Sequence, residues 1–281
     1  MIDLHTHSTF SDGELTPKNL IELAIKNNIN IFSITDHDTL LGNKEVMKII
    51  KNYDINYITG IELSAKVDKG RIHILGYDID INNKELNKKI EILKNNSLYS
   101  VITLLSRIKK DYDIVFSTED ILNTLNQNHN LGRPDIARLM VKYGYVSSIK
   151  EAFDKYLNDA YAKTRKTSKG ISYKECIELI LNAGGIPVLA HPKTLELNEK
   201  ELLILIKEMC IYGLQGIEVY HSSHTKEEIK LYLDIANKYN LLISGGTDYH
   251  GPFVKPDIEI GTGINNNLKI KELSILNKLK K

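Results

Sequence analysis

The sequence predicts an α/β fold, either a parallel barrel or a doubly wound sheet, interrupted by a helical insertion. Short apolar runs rich in β-branched residues alternate with segments of helical periodicity, as in strands that are covered on both faces. Residues 83–167 break this alternation because they contain helical patterns only. We therefore predict one strand-and-helix domain formed by residues 1–82 and 168–281, with residues 83–167 inserted into it and capping its site.

The predicted elements follow in chain order. Compact apolar runs place strands at residues 2–4, 31–35, 56–61, 72–75, 186–190, 216–220 and 241–244. Helix starts are indicated by Thr16 before Pro17 and by two capping boxes, Ser172 with Glu175 and Thr225 with Glu228. Within the insertion, Gly132-Arg133-Pro134 begins one helix, and a second is predicted over residues 149–157.

Composition excludes several classes of protein. The 281 residues are 42% hydrophobic and 26% charged, which is typical of a globular chain. Because 37 Lys and Arg nearly balance 36 Asp and Glu, we expect neither duplex DNA nor a membrane as a partner. Two distant cysteines, Cys176 and Cys210, argue against thiolate metal sites and disulfides. With no signal-peptide pattern, the expected location is the cytoplasm; the sequence leaves the oligomeric state open.

The informative residues are histidines and acids at or just beyond the ends of predicted strands. In a parallel barrel these ends converge on one face, where the sites of such folds are built. A lone histidine in such a place is usually an ordinary polar residue, and His129, in a polar loop of the insertion, is interpreted that way. Nine histidines and acids near predicted strand ends together form the candidate site: His5, His7, Asp12, His37, Glu62, His73, His191, Asp248 and His250.

Residue spacing favours a metal centre. The period of an extended chain sends His5 and His7 to the same side, and Asp248 and His250 repeat the arrangement. Imidazoles and carboxylates without thiolates suit Zn, Mn or Fe, and nine candidate ligands exceed the needs of one ion. Two or three divalent ions are therefore implied, with Glu62 able to bridge two of them. Closely spaced ions can bind a phosphate and activate water as hydroxide, which indicates hydrolytic phosphoryl transfer.

The motifs resemble those of the polymerase and histidinol phosphatase (PHP) family over essentially the whole chain. They are Asp3-Leu4-His5-Thr6-His7, Ser11-Asp12-Gly13, Thr35-Asp36-His37-Asp38, Ala190-His191-Pro192 and Asp248-Tyr249-His250. Further segments, among them Gly132-Arg133-Pro134 and Glu218-Val219-Tyr220-His221, resemble the branch with 3′,5′-nucleoside bisphosphate phosphatases and a 5′-to-3′ exoribonuclease. The resemblance implies a distorted (β/α)7 barrel with a helical insertion.

The resemblance also implies three groups of ligands. One ion would be held by His5, His7, Glu62 and Asp248, a second by Glu62, His73 and His191, and a third by Asp12, His37 and His250. Of these, Asp12, His37, Glu62 and Asp248 are the expected catalytic residues. The sequence departs from the branch at Asp135, where histidine is usual, and a carboxylate there is expected to repel an anionic substrate.

Three residues outside this set are considered for substrate binding. Arg133 could grip a second phosphate with its planar guanidinium, the alternative being a surface ion pair. His221 and His224 follow a strand, and either could contact phosphate or orient a ligand; we favour His224 for the substrate.

Three functions remain open from the sequence. The leading hypothesis is a metal-dependent phosphoesterase that hydrolyses a phosphate monoester of a small nucleotide resembling a 3′,5′-nucleoside bisphosphate. The second is a 5′-to-3′ exoribonuclease on short RNA, for which the insertion could supply a cationic and aromatic track: Tyr143, Tyr145, Tyr156, Tyr161, Lys163, Arg165 and Lys166. The third is a non-catalytic metal-binding regulatory module.

Overall fold

The computed structural model describes residues 1–67, 70–125, 131–164 and 170–279. These residues form a mixed α/β structure, which confirms the α/β class of the prediction, although part of the larger sheet is antiparallel. Among them, no helix has both the length and the apolar character needed to cross a membrane. His129 lies outside the described residues.

The described strands form two sheets. A small parallel sheet contains β1 (Ile2–Asp3), β2 (Ile31–Phe32) and β3 (Asn56–Tyr57) in that order. A five-stranded sheet contains β4 (Gly60–Ala65), β5 (Ile72–Tyr77), β6 (Ile186–Leu189), β7 (Gly216–His221) and β8 (Leu242–Gly246). Strands β4, β5 and β6 are antiparallel neighbours, whereas β6, β7 and β8 run parallel.

The helices begin where the capping signals predict. Thr16 accepts a hydrogen bond from the Asn19 backbone N–H, and both predicted capping boxes are formed. The helices are α1 (Pro17–Lys26), α2 (Leu41–Ile49), α3 (Lys84–Tyr112), α4 (Thr118–Leu125), α5 (Arg133–Lys142), α6 (Ile149–Ala152), α7 (Asn158–Thr164), α8 (Tyr173–Asn182), α9 (Glu199–Ile211) and α10 (Lys226–Tyr239). A π-helical turn at Phe153–Leu157 follows α6, so the predicted helix over residues 149–157 is continuous but changes its winding.

The single strand predicted over residues 56–61 is wrong, because this segment contributes β3 to one sheet and β4 to the other. The buried side chain of Asn43 replaces strand pairing where the chain changes sheets. Its amide donates to the carbonyl oxygens of Ile34 and Gly60 at 3.2 and 2.7 Å, and its oxygen accepts the Gly60 N–H at 3.0 Å. The pattern of hydrophobic residues cannot reveal that a side chain takes the place of the backbone hydrogen bonds between strands.

Between β5 and α8 the described residues contain helices and no strand. Val101, Leu104 and Ile108 of α3 pack into a hydrophobic cluster formed mainly by this segment. The first half of the same helix, including Leu86 and Ile90, packs into the main core with β4, β5 and α8. Helix α3 therefore joins the two cores. The domain limits stay predictions, and residues 167 and 168 lie outside the described ranges.

Candidate metal centre

Glu62 stands at the centre of the histidine cluster. It lies on β4, fully buried, and its two carboxylate oxygens face different imidazoles. Oε1 lies 2.7 Å from Nδ1 of His73 and 2.8 Å from Nε2 of His191, whereas Oε2 lies 3.2 Å from Nε2 of both His5 and His7 and 3.1 Å from Nδ1 of His37. One carboxylate thus contacts two separate sets of nitrogen atoms.

The two remaining acids of the predicted set lie beside the same rings. Oδ1 of Asp248 is 3.2 Å from Nε2 of His7 and 3.6 Å from Nε2 of His5. Oδ1 of Asp12 is 3.2 Å from Nε2 of His250 and 3.7 Å from Nδ1 of His7. All nine predicted ligands therefore meet in one region, and His5 with His7 and Asp248, and His7 with Asp12, His37 and His250, have donor atoms close enough to share an ion.

Strand pairing brings the ligands together. The chain after β1 pairs with the chain after β8, with a bridge between Thr6 and Tyr249 and a hydrogen bond of 2.9 Å from the His7 N–H to the Tyr249 carbonyl. The H-x-H segment with His5 and His7 therefore runs beside the D-x-H segment with Asp248 and His250. His73 arrives differently, because the β4–β5 hairpin is antiparallel and sets His73 opposite Ser64.

The loop that carries Asp12 folds back onto His7. Gly13 donates its backbone N–H to the Ser8 carbonyl at 3.0 Å, and a Cβ at Gly13 would lie 2.1 Å from the His7 carbonyl oxygen. Only glycine permits this close approach. The turn therefore fixes the position of Asp12 relative to the His5 and His7 segment.

Three further buried carboxylates hold the segments that carry the ligands. Asp36 accepts hydrogen bonds from Ser8 and Ser11, which flank the loop between His7 and Asp12. Asp3 accepts from both the N–H and the hydroxyl of Thr247, directly before Asp248. Glu218 on β7 contacts His5 and the backbone of His191. Sequence analysis did not assign roles to Asp3 or Glu218, because an acid inside a strand gives no local signal of what it contacts.

The electrostatics of the cluster favour ionised carboxylates. Burial opposes charge on Glu62, but His37, His73 and His5 hold the pKa of its carboxyl well below the ordinary value. Burial likewise opposes charge on Asp12, and His250 and His37 hold its pKa well below the ordinary value. Burial lowers the pKa of His37 to about 3. Burial opposes charge on His7 as well, but Asp248 and Glu62 raise the pKa of its imidazole to about 9, so a bound cation would displace a proton there.

The chemistry of the donors fits divalent ions. Carboxylate oxygens only accept hydrogen bonds, so the contact of Glu218 with Nδ1 of His5 places the ring proton on that nitrogen in the neutral imidazole. The lone pair on Nε2 of His5 then faces the carboxylates of Glu62 and Asp248. A proton or a metal ion must lie between these atoms, and Nε2 of His7 is also buried without a hydrogen bond to any described residue. Imidazole and carboxylate donors suit Zn, Mn or Fe.

A cavity of about 740 Å³ joins the cluster to the helical insertion. Its lining includes candidate ligands such as His37 and Asp248 and, from the insertion, Leu104, Arg133 and Phe153. Two cations missed by sequence analysis also line it. Arg71 starts the turn into β5, and Lys255 lies in the segment after His250, with Nζ 2.5 Å from Oδ2 of Asp248.

Arg133 lies in the cavity wall. Its guanidinium carbon is 4.4 Å from the ring centre of Tyr161 and 5.2 Å from that of Phe153, and Nη1 donates to Asn158 at 3.3 Å. Among the described residues it has no ion-pair partner, so they give no support to the surface ion pair weighed from the sequence. Burial lowers the pKa of its guanidinium to about 10, so the group stays charged at neutral pH.

Two expectations about neighbouring residues need correction. His224 is buried outside the cavity lining, with Nδ1 2.9 Å from the Val219 carbonyl, whereas His221 lines the cavity. The carboxylate of Asp135 is engaged by neighbouring groups and is not directed at the substrate region. It accepts the Gly132 N–H at 2.8 Å, so it caps α5, and it pairs with Arg138 at 3.1 Å. Helix capping, invisible in the motif comparison, accounts for the carboxylate there.

Comparison with known proteins gives consistent results. The family model described as PHP domain matches residues 3–243. A 5′-3′ exoribonuclease of Haemophilus influenzae is 29% identical over 255 residues, covering 89% of this chain and 90% of that protein. A 3′,5′-nucleoside bisphosphate phosphatase of Chromobacterium violaceum is 27% identical over 251 residues, covering 89% and 87%.

A solved structure from Bifidobacterium adolescentis, assigned as a metal-dependent phosphoesterase, superposes with a TM-score of 0.80. It is 28% identical, and the match covers 94% of this chain and 92% of that one. These similarities extend over the sheets and the insertion alike.

Proposed function

Because the chain belongs to the PHP domain family, we propose that it hydrolyses a phosphate monoester of a small nucleotide resembling a 3′,5′-nucleoside bisphosphate. The chain is a phosphoesterase in the broad sense, as the phosphatase and exoribonuclease among its relatives indicate. The observation that carries the proposal is Glu62, whose two oxygens face five imidazoles at the floor of a cavity with cationic walls. The regulatory-module alternative is not supported.

The proposed site holds two or three ions of Mn, Zn or Fe. Glu62, with His73 and His191 on one oxygen and His5, His7 and His37 on the other, is arranged to be shared between ions. Bound divalent ions would supply charge for the phosphoryl oxygens and activate water for attack. The residues of the chain position them: Asp12 and Asp248 complete the donor sets, and the insertion covers the cavity and limits access of bulk water.

The cavity favours a second anionic group on the substrate. Arg71 and Arg133 both line it and influence each other electrostatically, and neither has an ion-pair partner among the described residues. Two guanidinium groups in one wall call for a counter-anion, and guanidinium matches the geometry of phosphate. Apolar side chains of the insertion, such as Val101 and Leu104, give an organic group a place beside them.

The exoribonuclease alternative has less support from the insertion. Of the described residues in the proposed track, only Tyr161 lines the cavity. Tyr143 donates a hydrogen bond to Asp120, and Lys163 pairs with Asp111 and Asp159, so these groups have partners within the insertion. Arg165 and Lys166 lie outside the described residues.

We also propose that the two sheets close into a distorted (β/α)7 barrel in a cytoplasmic protein. Isolated bridges between Thr6 and Tyr249 and between His37 and Glu62 join one sheet to the other and support this view. The proposed role of the insertion as a cap is supported by two contacts with segments that carry candidate ligands. Arg138 donates to the Asp12 carbonyl at 2.8 Å, and Val254, which follows His250, packs against the hydrophobic cluster of the insertion.

Substrate length tests the proposed function. With Mn added, we expect faster release of inorganic phosphate from a nucleoside 3′,5′-bisphosphate than release of mononucleotides from a 5′-phosphorylated oligoribonucleotide. The cavity of about 740 Å³ is the physical reason, since it accommodates a compact ligand beside the cluster. Phosphate assays and chromatography of the nucleotides measure the two rates. Preferential release of mononucleotides would instead establish the exonuclease.

Arg133→Ala should impair hydrolysis of a nucleoside bisphosphate far more than hydrolysis of p-nitrophenyl phosphate. The aryl phosphate carries only the reacting phosphate, whereas the bisphosphate offers a second one to the guanidinium. A charge-assisted hydrogen bond of about 1.5–3 kcal/mol corresponds to a loss of roughly 10- to 150-fold in kcat/KM. Arg107→Ala, which removes an arginine paired with Asp111 on α3, is the matched control and should change neither rate. An equal loss on both substrates would place Arg133 at the reacting phosphate.

A further inference from the structure

We propose that Glu218 is a positioning residue for two metal ligands at once. It would hold the ring proton of His5 on Nδ1 and fix the backbone of His191. This inference rests on the proposed function only in taking these histidines as metal ligands. Glu218 lies on β7, the strand between β6 and β8, and is completely buried. From there its carboxylate reaches the end of β6 and the segment after β1.

The contact with His5 fixes which nitrogen carries the proton. Oε1 of Glu218 lies 2.9 Å from Nδ1 of His5, and a carboxylate at this distance requires a donor. When Nε2, which lies 3.2 Å from Oε2 of Glu62, binds an ion, the one remaining ring proton is therefore on Nδ1. Without this contact, either nitrogen could carry the proton, and the tautomer protonated on Nε2 would turn an N–H toward Glu62.

The contact with His191 fixes a strained backbone. His191 has φ +23°, in a region that residues other than glycine rarely adopt. Its N–H donates to Oε2 of Glu218 at 2.7 Å, and in this conformation Nε2 of the ring lies 2.8 Å from Oε1 of Glu62. The buried carboxylate thus compensates a conformation that aims the ring at the cluster.

Both oxygens of Glu218 are consequently used, and they act on opposite sides of Glu62. His5 faces Oε2 of Glu62 and His191 faces Oε1. Loss of Glu218 should disturb ligands in both predicted ion groups together. Residues that orient ligands in this way typically change metal affinity or activity by about 10- to 100-fold when removed.

Glu218→Gln tests the proposal, since glutamine keeps the size but can satisfy only one of the two donors. Zinc affinity, measured by competition with a chelating dye, should fall roughly 10- to 100-fold. In the zinc-loaded protein, ¹H–¹⁵N correlation spectra should show the His5 proton on Nδ1 in the unmodified chain and a changed tautomer or mixture in the variant. Neither measurement requires phosphoesterase activity, so failure of the proposed function would not obscure the result.

Asp3→Asn is the matched control. Asp3 is also fully buried and accepts backbone N–H groups, including that of His5, but among the described residues it contacts no imidazole ring. This variant should lower the melting temperature while leaving the His5 proton on Nδ1. Unchanged zinc affinity and an unchanged His5 tautomer in Glu218→Gln would overturn the proposal. The same tautomer change in Asp3→Asn would overturn it as well, because the effect would then follow from any lost buried charge.

Discussion

Removal of divalent ions should abolish phosphate ester hydrolysis and lower the melting temperature together. In the ion-free site, the lone pair of His5 faces the carboxylates of Glu62 and Asp248, and only protons can take the place of the ions. A ligand at 100 times its Kd stabilises the folded state by about 2.7 kcal/mol, which corresponds to roughly 5–10 °C for each tightly bound ion in a domain of this size.

The measurement combines calorimetry and turnover on chelator-treated protein whose metal content is verified by elemental analysis. Readdition of Mn, Zn or Fe, each tested separately, should restore both properties and rank the metals. Magnesium serves as a comparison, because it is a hard cation that prefers oxygen ligands, whereas imidazole-rich sites favour softer ions. Verified ion-free protein that hydrolyses phosphate esters at the original rate would contradict the proposed chemistry.

The convergence of the nine ligands could be predicted because its signals are local. His5 with His7 and Asp248 with His250 share a face through the period of an extended chain, and each pair follows an apolar strand. The ends of neighbouring parallel strands then meet by topology. Glu62 and His73 are exceptions, because they lie within the antiparallel strands β4 and β5 and not at the ends of parallel strands.

Interactions at long sequence separation could not be predicted in the same way. Glu218 contacts His5, 213 residues away in the chain, from the interior of a strand that resembles any buried strand. Asn43 bonds to Gly60 at the start of β4, and it does so from a helix. The choice between His221 and His224 depends on side-chain directions at and beyond the end of β7, for which the segment has no periodicity.

Glu62→Gln should cause the largest loss of any single substitution in the cluster. The change keeps the shape of the side chain but removes a buried charge that contacts five imidazoles through both oxygens. Removing one partner from a buried charge pair costs about 3–5 kcal/mol, or roughly 150- to 5,000-fold in an equilibrium constant. We expect a loss of this size in metal affinity, loss of more than one bound ion, and activity near background.

His250→Ala is the control for this prediction. Its Nε2 lies 3.2 Å from Asp12, and the ring lies in the group that contains Asp12 rather than beside Glu62, so a single ion should be affected. Elemental analysis after dialysis and kcat at saturating metal compare the two variants. If Glu62 is shared between ions, its substitution lowers the metal content by more than the His250 substitution does, and high metal concentration restores His250→Ala first. Equal losses of bound metal from both variants would mean that the two oxygens of Glu62 bind one ion. The imidazoles on the other side of Glu62 would then stabilise the fold without binding a metal.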